Sequence, residues 1–162
     1  MTTPLGRIVG SSIFFYQRVA RLTRTGRWPL TIGVRIVVRD GPDLVLLVRH
    51  TYAPGWHFPG GAIDRRETAA DAAVRELREE ALIEATSPPR LAGLFLNTTQ
   101  GKSDHIALFE AGAWRRIDGK SRPLEIAETG FFPVRDLPKG TTGGTRRRLA
   151  ELLGEAEAGT GW

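Results

Sequence analysis

Three glutamates stand close together in the stretch "RRETAADAAVRELREE", residues 65–80. If this stretch is helical, Glu76, Glu79 and Glu80 lie at i, i+3 and i+4 and share one face. At separations of about 6 Å and an effective dielectric near 20, each pair would repel by roughly 2–3 kcal/mol. A divalent cation would offset this repulsion, and Mg²⁺ takes carboxylate oxygens, waters and substrate phosphates as ligands. The spacing therefore indicates a hard-metal site.

A solvated surface helix is the competing interpretation of the same residues. Asp71 and Arg75, and Arg75 and Glu79, are spaced i, i+4 and can form ion pairs on an exposed face. Taken alone, the acidic cluster favours this second interpretation, because such charge patterns are more often surface than site. The residues that precede the helix decide between the two.

The helix is predicted to begin just after Glu67, because Thr68 and Asp71 have the spacing of an N-terminal capping box. One apolar arc is predicted to face the core, and it consists of Ala70, Val74, Leu77 and Ala81. The glutamates share another arc with small residues that would leave open space beside the carboxylates, namely Ala69, Ala72 and Ala73.

Residues 61–83 resemble the Nudix box, which combines a glycine, a glutamate, an arginine and a set of glutamates at fixed spacings. The matching residues are Gly61, Glu67, Arg75, Glu76, Glu79 and Glu80. The one departure is Leu82, which replaces the usual glycine. The preceding "GWHFPGG" is also similar to the family's usual lead-in. Agreement at so many fixed positions makes chance negligible.

At Leu82 two outcomes stay open. The usual glycine ends the helix in the left-handed conformation, which would cost a leucine on the order of 1–2 kcal/mol. Alternatively the helix runs another turn toward "SPP" at 87–89, where proline stops it.

The resemblance implies an α/β fold, the Nudix α/β/α sandwich with a mixed β-sheet. It also implies hydrolysis of the phosphoanhydride bond in a nucleoside diphosphate linked to another moiety, with Mg²⁺ or Mn²⁺ as cofactor. A Nudix-like module that binds a nucleotide or a protein without hydrolysis is the alternative. Such a module would be expected to lose acids of the box, whereas this chain retains all of them.

The family pattern also assigns roles to residues. It implies a metal site formed by the backbone carbonyl of Gly60 with Glu76, Glu79 and Glu80. Arg75 and Glu67 would orient these ligands and complete the predicted catalytic set. The general base stays open between a box glutamate, Glu125 and Glu128, the last two in the loop "EIAETGFFP".

Substrate contacts are predicted at Arg49, which ends the strand "LVLLVR" and could hold a phosphate, and at Gly61. Other conspicuous residues have structural interpretations. Trp56 is expected to pack under the glycine loop, and Asp104 and His105 to be structural. A solvated charged face is predicted for three residues of the last helix, Arg146, Arg147 and Arg148.

Short strand-like runs must position the helix. Strands are predicted at 31–38, 43–48, 91–97 and 105–112, with the first two joined as a hairpin through "RDGPD". The run at 43–48 is apolar on both faces and should lie inside a sheet. An irregular stretch, 119–144, should precede a final helix at 145–158.

The 162 residues favour one domain, residues 29–162, preceded by an amphipathic helical extension, residues 1–28, that packs on it. The absence of cysteine suits a cytoplasmic location. No apolar run is long enough to span a membrane. A net charge of +5 suits a nucleotide substrate. Nucleic acid is not expected as a partner except as an RNA 5′ end, and a homodimer is compatible with the sequence.

Overall fold

The structure of the protein is a computed structural model that describes residues 30–98, 104–119 and 124–162. Its helices are α1 (Ala69–Ala81) and α2 (Gly143–Leu152). Its strands are β1 (Thr31–Val37), β2 (Arg39–Asp40), β3 (Leu44–His50), β4 (Trp56–His57), β5 (Ile83–Ala85), β6 (Arg90–Asn97), β7 (Asp104–Glu110), β8 (Trp114–Arg116) and β9 (Ile126–Pro133). The predicted extension, residues 1–28, lies outside the described residues.

Parallel and antiparallel pairs occur together in the sheets. One sheet has the order β1–β7–β6, with β1 parallel and β6 antiparallel to β7. A second is built on β3, which pairs antiparallel with β2, β4 and β9. The short strands β5 and β8 pair antiparallel. This combination confirms the predicted mixed sheet.

Side chains of the strands alternate between two hydrophobic cores. Val34 and Ile36 of β1 pack on the side of α1, where Leu77 is buried. Val37 packs on the opposite side with Leu149 of α2. Because the sheets lie between the two helices, the α/β/α sandwich expected from the resemblance is confirmed. In the described part of the chain, no helix has the length and apolar character that crossing a membrane requires.

The predicted hairpin is only partly right: β3 pairs with β2, which lies inside the predicted turn, and the turn contains Gly41 at a φ of 68°. The interior position of β3 is also confirmed, since Val45 to Val48 are all buried. The first predicted strand is present as β1, but it pairs in parallel with β7 and not with β3.

The prediction of an irregular stretch at 119–144 is wrong for its centre. Residues Ile126–Pro133 form β9 and pair along almost the whole of β3. Ile126, Thr129, Phe131 and Phe132 favour a strand, but the poor strand formers Ala127, Glu128, Gly130 and Pro133 interrupt them and obscure the local signal. The ladder with β3 supplies its backbone partners instead, which is a tertiary effect.

Helix α2 begins earlier and ends sooner than predicted, at Gly143 and Leu152. Thr142 caps its first turn, and Arg146 and Arg147 are exposed as predicted. The prediction for Arg148 is wrong, because only 1% of this residue is exposed. Its guanidinium lies 4.1 Å from the Phe95 ring centroid and donates a 2.6 Å hydrogen bond to Glu151.

Replacing Arg148 by methionine should lower the free energy of unfolding by about 3 kcal/mol, because a buried ion pair loses one partner. Urea denaturation measures the difference. Arg135→Met is the matched control, since 85% of the Arg135 side chain is exposed, and it should change stability by less than about 0.5 kcal/mol. If the two substitutions lowered the free energy of unfolding equally, the buried ion pair of Arg148 would not contribute to stability.

Candidate active site

The glycine loop after β4 is bound to β1 through its backbone. The amides of Ile36 and Val34 donate hydrogen bonds of 2.9 Å to the carbonyls of Pro59 and Gly61. Gly60 lies between them at a φ of 146°. A Cβ atom at Gly60 would lie 2.1 Å from the Val34 carbonyl oxygen, so only glycine fits this position. The loop is therefore held rigidly at the edge of β1.

Arg35 holds the same loop from the side. Its Nη1 atom donates hydrogen bonds of 2.9 Å to the carbonyls of Phe58 and Gly60. The carbonyl of Gly60 is a predicted metal ligand, and here it accepts from a cationic side chain. Sequence reasoning missed Arg35, because a single arginine inside an apolar strand gives no signal of its own.

Glu76 and Glu80 point into the protein. The buried residues of α1 are Ala72, Ala73, Glu76, Leu77 and Glu80. The predicted open space beside the alanines is therefore wrong. Their methyl groups are small enough that the helix packs directly on the sheet, and the carboxylates are enclosed with them.

The predicted core arc of α1 is only partly right. Leu77 is fully buried, whereas Ala70 and Val74 are half-buried. The predicted start is confirmed, because the Thr68 side chain caps the helix by accepting from the Asp71 amide. Leu82 settles the open question of its end, since it adopts the left-handed conformation, φ 55°, usually reserved for glycine.

Arg75 connects the acids of the box. Its Nε and Nη2 atoms donate to the two carboxylate oxygens of Glu67, at 2.8 and 2.9 Å. Its Nη1 atom donates to Glu76 at 2.7 Å and to Glu79 at 3.2 Å. The hydrogen bonds from Arg75 lower the pKa of Glu67 below its usual range. Those same bonds, chiefly with Glu67, raise the pKa of Arg75. This guanidinium therefore stays charged and locks three carboxylates in place.

Gly61 makes room for one of these carboxylates. A Cβ atom at this position would lie 2.6 Å from Oε1 of Glu76. Since only 1% of Glu76 is exposed, its side chain has no alternative position in solvent. Predicted from the sequence as a substrate contact, Gly61 here shapes the space around Glu76.

Glu80 is the most strongly perturbed acid of the site. Its Oε2 atom accepts a 2.9 Å hydrogen bond from the Gly60 amide, and 2% of the residue is exposed. Burial, followed by the charge of Glu76, raises the pKa of Glu80 to about 8. At neutral pH and without a cation, the Glu80 carboxyl group is therefore protonated.

Glu80→Gln should raise the thermal stability of the metal-free protein at pH 8.5. The pKa of Glu80 is raised from 4.5 to about 8 in the folded chain, so wild-type stability falls as the pH rises between these values. Glutamine has no proton to lose, and its amide oxygen can still accept from the Gly60 amide. The gain in free energy of unfolding should be on the order of 4–5 kcal/mol at pH 8.5 and below about 1 kcal/mol at pH 5.

Melting temperatures from pH 5 to 9 in EDTA measure this difference. Glu84→Gln is a suitable control, because Glu84 is partly exposed and ion-paired with Arg115. If the increase in melting temperature caused by Glu80→Gln were the same at every pH in this range, the raised pKa of Glu80 would be contradicted.

A cavity of about 130 Å³ opens beside the glycine loop. Its lining includes Arg35, His50, Tyr52, His57 and Asp104. Burial, followed by the charge of Arg35, lowers the pKa of His50 to about 3 and that of His57 to about 4, so both rings are uncharged. Sequence reasoning missed both histidines. A signal was present at His50, a polar residue that ends an apolar strand directly before the loop to the box.

The two candidate bases lie in different environments. Glu125 is buried, and its charge contributes to the raised pKa of Glu80, so the two carboxyl groups are close enough to interact. Glu128 is exposed and forms an ion pair with Arg49 on the adjacent strand β3. Arg49, predicted to bind substrate, is therefore engaged with Glu128 and lies 5.9 Å from the Trp56 ring centroid.

The remaining structural interpretations agree with the geometry. Trp56 is buried and packs edge-on against Phe132, at 4.7 Å between ring centroids. Asp104 accepts a 2.7 Å hydrogen bond from the Thr31 hydroxyl, which ties β7 to β1. His105 pairs with Ile32 and Leu96 in the register of the sheet.

The donor set fits a divalent ion in its chemistry. Two buried carboxyl groups, Glu76 and Glu80, are compensated by a guanidinium and by a proton, both of which a cation could replace. Within the described ranges, no three carboxylates or imidazoles already converge as a metal cluster. Binding would therefore require Glu80 to lose its proton, while Arg75 can keep Glu76 aligned through the carboxylate oxygen Oε1.

The chain is similar in sequence to proteins of known family. A family model, described as the NUDIX domain, matches residues 29–153. The candidate mutator protein MutT4 of Mycobacterium tuberculosis is 32% identical over 103 residues, which cover 62% of this chain and 41% of that protein. A candidate 8-oxo-dGTP diphosphatase of Bacillus subtilis is 42% identical over 50 residues, covering 31% of this chain and 34% of the relative. The chain thus spans less than half the length of each.

The fold also matches a solved structure, the MutT NUDIX hydrolase of Burkholderia pseudomallei. The TM-score is 0.67 at 24% identity, covering 76% of this chain and 98% of the other. At this identity the similarity supports the fold alone. Because the family model covers most of the 162 residues and the chain retains the arginine and the glutamates of the box, the chain belongs to the Nudix hydrolase family.

Proposed function

We propose that the protein hydrolyses a phosphoanhydride bond in a nucleoside diphosphate linked to another moiety, with Mg²⁺ or Mn²⁺ as cofactor. The observation that carries this proposal is the buried pair Glu76 and Glu80, enclosed between α1 and the glycine loop at 1% and 2% exposure. A buried carboxyl pair costs several kcal/mol without compensation and has no structural benefit that an apolar pair would not provide. A non-catalytic module would not need it.

The residues that would hold the ion are Glu76, Glu79, Glu80 and the carbonyl of Gly60. When bound, a divalent ion would neutralise the phosphate chain, polarise a phosphoryl oxygen and lower the pKa of the attacking water. Gly60 is already fixed to Glu80 through its amide, so two of these ligands are positioned by one hydrogen bond. Arg75 and Glu67 keep the other carboxylates aligned.

The chain's own residues also supply orientation and proton transfer. Arg35 places positive charge at the glycine loop, where a phosphate chain would lie. Glu125 is the better candidate for the general base than Glu128, because it is buried near Glu80 whereas Glu128 is paired with Arg49. Release of Arg49 by Glu128 would be needed before Arg49 could contact substrate.

The names of the relatives suggest which nucleotides to test first. One is a candidate 8-oxo-dGTP diphosphatase, and the other is a candidate mutator protein, so nucleoside triphosphates with altered bases come first for this chain. Nucleotide sugars and dinucleotide cofactors are compatible with the same site. The net charge of +5 also suits a triphosphorylated RNA 5′ end. A cytoplasmic location is proposed with these substrates, in agreement with the absence of cysteine.

A panel of nucleotide pyrophosphates, incubated with Mg²⁺ or Mn²⁺, tests the proposal. The panel contains canonical and oxidised nucleoside triphosphates, nucleotide sugars, ADP-ribose and a triphosphorylated oligoribonucleotide. Cleavage between phosphorus atoms, giving a nucleoside monophosphate or a shortened 5′ end, is the expected product pattern. Chromatography of the products and release of phosphate or pyrophosphate measure it.

Two outcomes would count against the proposal. Turnover that persists in excess EDTA would contradict metal dependence, and binding of nucleotides without any cleavage would favour the non-catalytic module. Light scattering of the same sample reports whether the protein is the homodimer that the sequence permits.

A further inference from the structure

His50 points inward by the ordinary alternation of strand β3, in which successive side chains face opposite sides of the sheet. The pairing of β3 with β9 shifts between Arg49, which faces Glu128, and His50, which faces Ile126, and the extra residue, Ala127, belongs to β9. Arg49 is half-buried, whereas 4% of His50 is exposed. The last side chain of β3 therefore enters the protein beside the glycine loop.

The ring of His50 lacks the hydrogen bonds that a buried imidazole requires. Neither Nδ1 nor Nε2 has a hydrogen-bond partner in the part of the chain that the structure describes. Buried polar side-chain atoms are nearly always paired, and an exception commonly marks an unobserved ion or a functional contact. Its aromatic neighbours, Tyr52 at 5.0 Å and His57 at 5.6 Å between ring centroids, pack against the ring without satisfying it.

One of these nitrogens faces Glu80. His50 Nδ1 lies 3.7 Å from Glu80 Oε1, beyond hydrogen-bond distance, and both side chains are 2% exposed. Two ligand atoms that are each about 2.1 Å from one ion lie about 3.0 Å apart at right angles and about 4.2 Å apart when opposite. The observed 3.7 Å is about 0.7 Å longer than the right-angle value, so a small approach of the two side chains would bring both atoms to adjacent positions on one ion.

We propose that His50 is a nitrogen ligand of the divalent ion, through Nδ1 and together with Glu80. This inference rests on the proposed function, because it assumes that an ion binds beside Glu80. A neutral imidazole has one nitrogen with the lone pair that coordination requires. When Nδ1 coordinates the ion, Nε2 carries the proton.

A nitrogen ligand changes which ion the site prefers. Carboxylates, carbonyls and waters suit Mg²⁺ and Mn²⁺, whereas imidazole suits the later transition metals. A site containing both His50 and Glu80 should therefore bind Co²⁺ or Ni²⁺ more tightly than Mg²⁺. Binding constants for each ion, measured by calorimetry, should show that His50→Gln weakens Co²⁺ binding by at least about tenfold and Mg²⁺ binding by much less.

Electron spin echo spectroscopy of bound Mn²⁺ tests the contact directly. The chain contains only three histidines, so a directly coordinated ¹⁴N nucleus is readily assigned once any purification tag is removed. Wild-type protein should show ¹⁴N modulation, and labelling of histidine with ¹⁵N should shift it. His50→Gln should abolish the modulation, whereas His57→Gln, which alters the other histidine of the cavity, should retain it.

The outcomes separate this inference from the proposed function. Bound Mn²⁺ without nitrogen modulation in the wild type would overturn the role of His50 and leave the metal site of the glutamates intact. Failure to bind Mn²⁺ at all would overturn both. The ¹⁵N experiment uses unaltered protein, so the inference stays testable even if His50→Gln does not fold.

Discussion

Replacing Glu79 by glutamine should lower metal-dependent turnover by at least about a hundredfold while the fold persists. The Glu79 side chain is 27% exposed and touches Arg75 at 3.2 Å, so the isosteric change removes a charge and leaves the packing intact. A ligand to the ion would lose its anionic oxygen, and the site would hold the ion less tightly. Steady-state turnover on the best substrate of the panel, at several Mg²⁺ concentrations, measures the effect.

Glu84→Gln is the matched control for this prediction. The Glu84 side chain is 31% exposed and is also paired with an arginine, Arg115, but it lies beyond the end of α1. The control should keep full turnover. Similar losses in both variants would indicate a general effect of removing a half-buried ion pair, and unchanged activity in Glu79→Gln would remove Glu79 from the site.

Gly60→Ala should destabilise the protein by about 4 kcal/mol or more, and the variant should fail to accumulate as a folded protein at 37 °C. The new Cβ atom would lie 2.1 Å from the Val34 carbonyl oxygen and 2.8 Å from the Arg35 Cα atom. Neither backbone can move away without breaking the hydrogen bonds that join the loop to β1. Denaturant unfolding, or the soluble fraction on expression, measures the loss.

Gly154→Ala separates this clash from simple backbone strain. Gly154 also has a positive φ, 72°, but a Cβ atom there would meet nothing within 4 Å. Its substitution should cost on the order of 1–2 kcal/mol. If the two alanine variants were equally stable, the close approach of the glycine loop to β1 would not explain the cost of Gly60→Ala.

The sequence by itself determined the elements whose signals are local. Capping by Thr68 is confirmed because it depends on residues three positions apart. The turn around Gly41 and the buried run of β3 are confirmed for the same reason. Family membership also followed from the sequence, since the box is a contiguous pattern that no tertiary contact can hide.

Only the tertiary structure decided how the site is enclosed. A 3.6-residue period places Glu76 and Glu80 on one face, but the packing of α1 against β1 and β7 decides that this face is buried. The tertiary structure also brings His50, 30 residues away in the chain, close to Glu80, with 3.7 Å between His50 Nδ1 and Glu80 Oε1.

Two elements outside the site illustrate the same limit. The strand β9 is stabilised by its hydrogen-bond partners on β3, although its strand-forming residues are interrupted by poor strand formers. Arg148 is buried because the Phe95 ring and Glu151 receive its guanidinium, although three consecutive arginines at the start of a helix are typical of a solvated face. Burial and strand pairing depend on residues far apart in sequence, and no local spacing encodes them.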